Sequence, residues 1–123
     1  LLDVPCTGSG VWRRRPESLI RLDLNEYKKN LKIQSDLLNK VGKYCKRNGV
    51  ISYITCSMFK DENENQIKKF LNNNKAFKIL DINLLLNSNF NHINLNSIYK
   101  WLTLTPSYLK TDGFFICLLK KNF

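Results

Sequence analysis

The clearest apolar pattern in the chain lies at residues 50–57, with the sequence VISYITCS. The run is rich in β-branched and aromatic residues, follows Gly49, and ends at a cysteine between two hydroxyl side chains. A short apolar run bounded by a glycine is typical of a buried β-strand. The pattern therefore predicts a strand that delivers Cys56 into a turn, and the acidic residues 61–64 open a helical pattern just beyond it.

Residues 1–4 and 30–46 extend this prediction toward the N-terminus. The first is a short apolar strand that must end near Pro5, because proline cannot donate a hydrogen bond to a sheet. The second has apolar residues at helical spacing and is followed by Asn48-Gly49, a common helix stop. A strand, a helix and a second strand predict a right-handed βαβ unit with both strand ends at one edge of the sheet. The residues of the helix expected to face the core are Leu37, Leu38, Val41, Tyr44 and Cys45.

The rest of the chain predicts an α/β fold that ends in antiparallel strands. Asp61 and Glu64 resemble a capping box at the start of a helix. The apolar face of that helix would hold Ile67, Phe70 and Leu71, and Asn72–Asn74 would end it. Further segments predict a strand at 76–82, an Asn-rich loop at 87–96 that contains His92, and strands at 101–106 and 114–119 that pair as a hairpin with Cys117 in the core.

The composition favours a polyanionic partner. The 123 residues fit one domain, and Lys+Arg 20 against Asp+Glu 10 gives a formal net charge of +10. Such a charge points to nucleic acid rather than a membrane, although a generally basic soluble protein is the simpler alternative. No signal peptide or apolar run of spanning length is present. The four cysteines show neither zinc-ligand spacing nor a disulfide framework, so we expect reduced thiols, a cytoplasmic location and no metal.

Two of the cysteines are candidates for chemistry. Cys56 at a strand-to-helix turn would lie near the positive end of a helix dipole and near Lys60, which favours a thiolate. The alternative is a small buried core cysteine. Cys6 follows the first strand together with Asp3 and would share the same sheet edge. A cysteine hydrolase using Cys56 and His92 would need a third group to orient the histidine, and the sequence indicates no such group.

Three consecutive arginines follow the loop that contains Cys6. Arg13, Arg14 and Arg15 lie between Trp12 and Pro16. Guanidinium groups grip phosphates and stack on bases, so the segment is a candidate RNA contact. The alternative is a charged, solvated loop without a ligand.

Taken together, these residues resemble the Sun family of RNA cytosine-C5 methyltransferases. The resemblance covers nearly the whole chain and depends on the order of its motifs. The Asp-x-Pro-Cys and Thr-Cys-Ser motifs are each weak, but they are specific when joined by one βα segment. The matching segments are 3–10, 14–17, Gln34, 53–57, 62–64 and 111–115.

The resemblance implies a fold, a reaction and site residues. The fold would be the C-terminal half of a Rossmann-like methyltransferase sheet that uses S-adenosylmethionine. Cys56 would add to C6 of a cytosine in ribosomal RNA, because C5 is a poor nucleophile until a thiolate pushes electron density onto it. Cys6 would take part in releasing the product. Asp3 would lie between the cofactor and the base, and Asp3 with Pro5 would contact the cofactor.

Compared with the family pattern, the glycine-rich cofactor loop and the N-terminal RNA-binding region are missing. The chain also begins at Leu1, without a methionine and inside a strand-like run. We therefore expect residues 1–123 to be a partial catalytic domain of a longer, monomeric protein. The isolated chain is expected to be inactive and able to self-associate through the open edge of its first strand. A non-catalytic basic RNA-binding module derived from the same fold is the alternative.

Overall fold

The computed structural model describes residues 1–89 and 100–123, which contain a mixed sheet covered by helices. The strands of the sheet are β1 (Leu2–Asp3), β2 (Val50–Thr55), β3 (Phe77–Leu80), β4 (Leu102–Leu104) and β5 (Phe114–Lys121). The helices are α1 (Glu17–Ile20), α2 (Leu24–Tyr44), α3 (Glu64–Asn73), α4 (Asn83–Asn89) and α5 (Pro106–Leu109), and a 3₁₀ turn covers Ser9–Val11. Within the described residues, no helix is both long enough and apolar enough to cross a membrane.

The predicted βαβ unit is confirmed. Strands β1 and β2 are parallel, with Leu2 opposite Tyr53 and Asp3 opposite Ile54, and α2 connects them. Their carboxyl ends therefore lie side by side at one edge of the sheet. Strand β1 is the outermost strand of the sheet on this side in the described residues. Self-association through it stays a prediction.

The antiparallel C-terminal hairpin is confirmed as well. Strand β5 pairs with β2 on one side. On its other side it pairs with β4 near its start and with β3 near its end. The chain passes from β4 to β5 through the short helix α5 and the predicted turn at Asp112-Gly113. The sheet order is β1-β2-β5-β3, with β4 also paired to β5.

The core forms where one face of the sheet meets α2 and α3. Alternate side chains of β2 and β5 point inward, and Tyr53 and Cys117, which pair across the two strands, are both fully buried. The predicted inward face of α3 is confirmed, since Ile67 and Phe70 are buried and Leu71 packs against the core. A Cβ at Gly42 would lie 3.0 Å from the ring of Phe70, so α2 and α3 approach closely there.

The expected inward face of α2 needs correction at its end. The helix begins at Leu24 rather than near residue 30, because the Asp23 side chain accepts hydrogen bonds from the backbone N–H groups of Asn25 and Glu26. Tyr44 was expected in the core but is 79% exposed. Cys45 packs against the core as expected, although it is the residue after the helix rather than a part of it.

The capping box predicted for α3 is wrong. The helix begins at Glu64, and its N-cap residue Asn63 makes no side-chain capping hydrogen bond. Asp61 instead accepts hydrogen bonds from the Tyr27 hydroxyl, at 3.1 Å, and from the Asn65 side chain, at 2.7 Å. Within the turn before the helix, Glu62 points back toward the sheet edge, where it accepts hydrogen bonds from Thr7.

The loop predicted at 87–96 is wrong for residues 87–89, which belong to α4. The rest of that segment, including His92, lies outside the described residues.

Candidate active site

Two loops meet at the sheet edge where β1 and β2 end. The first cysteine loop is residues 5–10 and the second cysteine loop is residues 56–63. The backbone N–H of Gly10 donates to the carbonyl of Cys56 at 2.8 Å, and the N–H of Gly113 donates to the carbonyl of Gly10 at 2.7 Å. A Cβ at Gly10 would lie 2.8 Å from the Cys56 carbonyl oxygen, so only glycine allows this approach. The backbone itself holds the two loops together.

The structure brings the two predicted thiols together at this edge. The Sγ atoms of Cys6 and Cys56 are 3.3 Å apart, within hydrogen-bonding distance, and both side chains are half-buried. The hydrogen bond with Cys56 and, after it, burial hold the pKa of Cys6 far above its ordinary value, so Cys6 is the protonated member of the pair. The hydrogen bond from Cys6 lowers the pKa of Cys56 from 9.0 to about 7. At neutral pH, Cys56 is therefore the nucleophilic member of the pair.

The low pKa expected for Cys56 is present, but its cause differs from the expected one. Its largest cause is the Cys6 thiol, and the contributions that oppose it come from burial and from the negative charges of Asp3 and Glu62. Lys60 is not among the causes, and α3 begins only at Glu64. The acidity of Cys56 thus depends on a residue far away in the sequence.

A buried carboxylate links the two loops. Glu62 is 0% exposed. It accepts hydrogen bonds from the backbone N–H of Thr7 at 2.9 Å, the Thr7 hydroxyl at 2.7 Å and the Gln34 side-chain amide at 3.2 Å. The same amide donates to the Pro5 carbonyl at 2.8 Å. We call Glu62, Gln34, Thr7 and the Pro5 carbonyl the Glu62 clamp.

Hydroxyl groups form a second set of bonds between the loops. Ser9 Oγ lies 3.1 Å from Ser57 Oγ and accepts from the N–H of Met58 at 2.8 Å. Behind them, Thr55 donates to the Asn63 side chain, which in turn donates to the Ser57 carbonyl at 2.8 Å. Buried polar groups are normally paired, and here the pairing fixes both loops.

Glu62, Asn63 and Gln34 were not predicted as site residues. Glu62 and Asn63 were included in a cluster interpreted as a helix cap. Gln34 is fully buried within an otherwise amphipathic helix. A polar residue at an inward helical position is the signal that could have identified it.

Asp3 and Pro5 both lie beside the thiols at the end of β1. Both are exposed. The charge of Asp3 raises the pKa of Cys56, so the carboxylate lies within electrostatic range of that thiol. The Pro5 carbonyl is occupied by Gln34, so its ring is the part free to contact a ligand.

The arginine segment lies on the surface beside the turn before β5. Arg14 Nε donates to both carboxylate oxygens of Asp112, at 2.9 and 2.8 Å, and Arg13 approaches the same group at 3.8 Å. The hydrogen bond from Arg14 lowers the pKa of Asp112. Arg15 is exposed, and its side chain forms no ion pair with any residue in 1–89 or 100–123. The three arginines are therefore not equivalent.

A cavity of about 230 Å³ gives access to the Cys6 side of the pair. Its walls come from the first cysteine loop, α1 and the start of α2. They include Cys6, Thr7, Arg21, Glu26 and Asn30.

A family model described as 16S rRNA methyltransferase RsmB/F matches residues 1–120. The chain belongs to this family. A probable ribosomal RNA small subunit methyltransferase B of Bacillus subtilis is 30% identical over 99% of this family member, and one of Coxiella burnetii is 36% identical over 99%. The chain spans 27% and 26% of the lengths of these relatives.

Solved structures support the same membership. The crystal structure of NSun6 from Pyrococcus horikoshii with SFG matches with a TM-score of 0.77 and 28% identity. That match covers 99% of this chain and 29% of the solved chain. The mixed sheet of this family member is thus part of a Rossmann-like methyltransferase fold, as its sequence predicted.

Proposed function

We propose that this chain carries the thiol half of an RNA cytosine-C5 methyltransferase site that acts on small-subunit ribosomal RNA. The observation that carries the proposal is the pair of thiols 3.3 Å apart, one acidic and one held protonated. Covalent activation of a pyrimidine needs a thiolate near neutral pH, and Cys56 meets that need. Membership of an rRNA methyltransferase family supplies the RNA and the methyl transfer.

In the proposed reaction, the Cys56 thiolate adds to C6 of the cytosine and pushes electron density onto C5. The carbon C5 then takes the methyl group, after which its proton must leave and the bond from Cys56 to C6 must break. The two electrons of that bond return to Cys56, which is restored as a thiolate. A base near C5 therefore has to accept this proton before the thiolate can leave.

Cys6 is suited to that task because its acidity depends on Cys56. Its pKa is raised first of all by the interaction with the Cys56 thiol. When Cys56 becomes a thioether, its sulfur loses the negative charge that favoured the Cys6 proton. Cys6 then ionises more readily and becomes a base near the adduct. This order of events agrees with the role in product release that the family resemblance implies.

The exposed carboxylate of Asp3 fits the positively charged amino group of a methionine moiety. We infer that Asp3 and Pro5 contact S-adenosylmethionine, which would supply an electrophilic methyl group. NSun6, which was solved with SFG, an analogue of that cofactor, supports this choice. The arginines at 13–15 would neutralise RNA phosphates beside the site. The cytoplasmic location expected from the cysteine pattern stays a prediction.

The test uses a protein of the relatives' full length that contains this chain, because the chain spans about a quarter of them. Methyl transfer to small-subunit rRNA is measured with a labelled cofactor, and covalent RNA–protein adduct is measured by gel shift. We expect Cys56→Ala to abolish transfer and adduct, and Cys6→Ala to accumulate adduct. Cys45→Ala, which changes a cysteine outside the site, is the control and should retain transfer.

Adduct that persists in the Cys56→Ala protein would overturn the assignment of the nucleophile. RNA binding without methylation in the unchanged full-length protein would favour the alternative, a non-catalytic RNA-binding module.

A further inference from the structure

We propose that Glu62 is a positioning residue that holds Cys6 within hydrogen-bonding distance of Cys56. Glu62 does not contact either sulfur through any hydrogen bond in the described residues. It acts through the residues on either side of Cys6. The proposal concerns the geometry of the thiol pair, and only its meaning for methylation rests on the proposed function.

The Glu62 clamp holds Cys6 from both sides. Glu62 takes both donors of Thr7, the residue after Cys6. It also accepts from Gln34, whose amide donates to the carbonyl of Pro5, the residue before Cys6. With both neighbours fixed, the backbone of Cys6 has little freedom to turn its thiol away.

The other end of the clamp is anchored to the Cys56 side. The backbone carbonyl of Glu62 accepts a 2.7 Å hydrogen bond from the hydroxyl of Tyr53, a fully buried residue of β2. Asn63, the next residue, donates to the carbonyl of Ser57. The carboxylate therefore belongs to the rigid end of β2 while it holds the loop after β1, and it sets the distance between the two thiols.

The burial of this charge has no evident electrostatic benefit for the site. Among residues 1–89 and 100–123, no Lys or Arg forms an ion pair with Glu62. Its negative charge raises the pKa of Cys56, as does that of Asp3, so both oppose the thiolate. A carboxylate is nevertheless suited to this place, because its two oxygens can accept all three donors and an amide cannot. Glu62 therefore acts through the hydrogen bonds that it accepts, and not through its negative charge.

The test measures the alkylation of each cysteine by iodoacetamide as a function of pH, in the reduced full-length protein that contains this chain, by peptide mass spectrometry. It needs neither RNA nor cofactor, so its failure is distinct from failure of the proposed function. If Glu62 positions Cys6, Glu62→Gln should raise the pKa of Cys56 toward 9.0 and slow its alkylation at pH 7 by up to ~50-fold. Loss of the Glu62 charge alone would shift that pKa downward.

Three further variants and a reporter of unfolding accompany this variant. Glu64→Gln makes the same chemical change two residues along the chain, outside the clamp, and should leave the Cys56 profile unchanged. Thr7→Val removes only the hydroxyl donor and should shift the pKa upward by less, whereas Thr7→Ser keeps the hydroxyl and should not. Cys117 is fully buried, so its alkylation reports global unfolding.

A Cys56 pKa that falls or stays unchanged in Glu62→Gln, with Cys117 still protected, would overturn the proposal. If Cys117 becomes reactive in that variant, Thr7→Val decides instead: an upward shift supports the positioning role, and no shift overturns it.

Discussion

Glu62 and Asp112 are two carboxylates that each join segments far apart in the sequence, yet they do so in opposite surroundings. Glu62 is fully buried and is satisfied by neutral donors. Asp112 is half-buried and is held by Arg14 and, more distantly, by Arg13, whose side chains are both more than half exposed. Both make several short contacts in the structure. The number of contacts alone would predict that the two carboxylates contribute equally to stability.

The comparison shows that exposure to solvent determines how much such contacts contribute to the free energy of unfolding. Water and salt compensate an exposed ion pair when it breaks, so the pair contributes little to stability. A buried donor that loses its acceptor has no replacement and costs its full desolvation energy. The Glu62 clamp is therefore expected to determine the structure of the site, whereas the Asp112 pair leaves its arginines available for exchange with a phosphate.

The largest expected effect is on stability. Glu62→Ala would leave the N–H and hydroxyl of Thr7 and the amide of Gln34 without their acceptor, and should lower the free energy of unfolding by roughly 3 kcal/mol. Urea denaturation followed by circular dichroism measures it. Asp112→Ala leaves Arg13 and Arg14 solvated, since both side chains are more than half exposed, and should leave the midpoint nearly unchanged. An equal loss of unfolding free energy in Glu62→Ala and Asp112→Ala would contradict the expected difference between the two carboxylates.

A smaller effect is expected at Gly10, whose backbone bonds to both Cys56 and Gly113 and so connects the two regions. An alanine there would place its Cβ 2.8 Å from the Cys56 carbonyl oxygen and against Gly113. The overlap should cost about 1–3 kcal/mol in urea denaturation. Gly8→Asn is the matched control, because asparagine tolerates the φ of 68° and a Cβ there meets only an ordinary contact. A Gly10→Ala protein as stable as the control would show that the loops can separate freely.

The smallest effect is expected on RNA binding by the full-length protein. Log affinity falls as log salt concentration rises. Replacing Arg13, Arg14 and Arg15 together should make this dependence less steep, by up to roughly 0.7 per lost phosphate contact for single-stranded RNA. Since Asp112 already neutralises Arg14, Arg15→Ala should change the slope more than Arg14→Ala. Asp112→Ala should strengthen binding. An unchanged slope in the triple variant would indicate a solvated loop without a ligand.

Local sequence patterns predicted those elements that depend on residues close together in the sequence. The apolar run at 50–57, Pro5 after the first strand and Gly49 each constrain the backbone within a few residues. The two strands and the helix between them were therefore predictable from the sequence. The errors have local causes too. Tyr44 fits the helical period but is the exposed last residue of α2, and Asp61 fits a cap but precedes the turn before α3.

The candidate site was predictable only as a meeting of two strand ends. A parallel βαβ unit places Cys6 and Cys56 at one edge whatever their surroundings. Neither spacing nor composition indicates that a thiol would be the main cause of the acidity of Cys56, or that Glu62 would turn inward. Those features depend on contacts across 50 or more residues of chain.

The sequence by itself determined the α/β order of elements, the pairing of the thiols at one edge and the basic surface, because these follow from periodicity, from chain connectivity and from charge. The tertiary structure alone decided what makes Cys56 acidic, which arginine is already neutralised and which glutamate is buried. Each of these depends on the distance to a partner and on the loss of water around it, and a hydrogen bond or a desolvated charge changes in energy over a few ångströms.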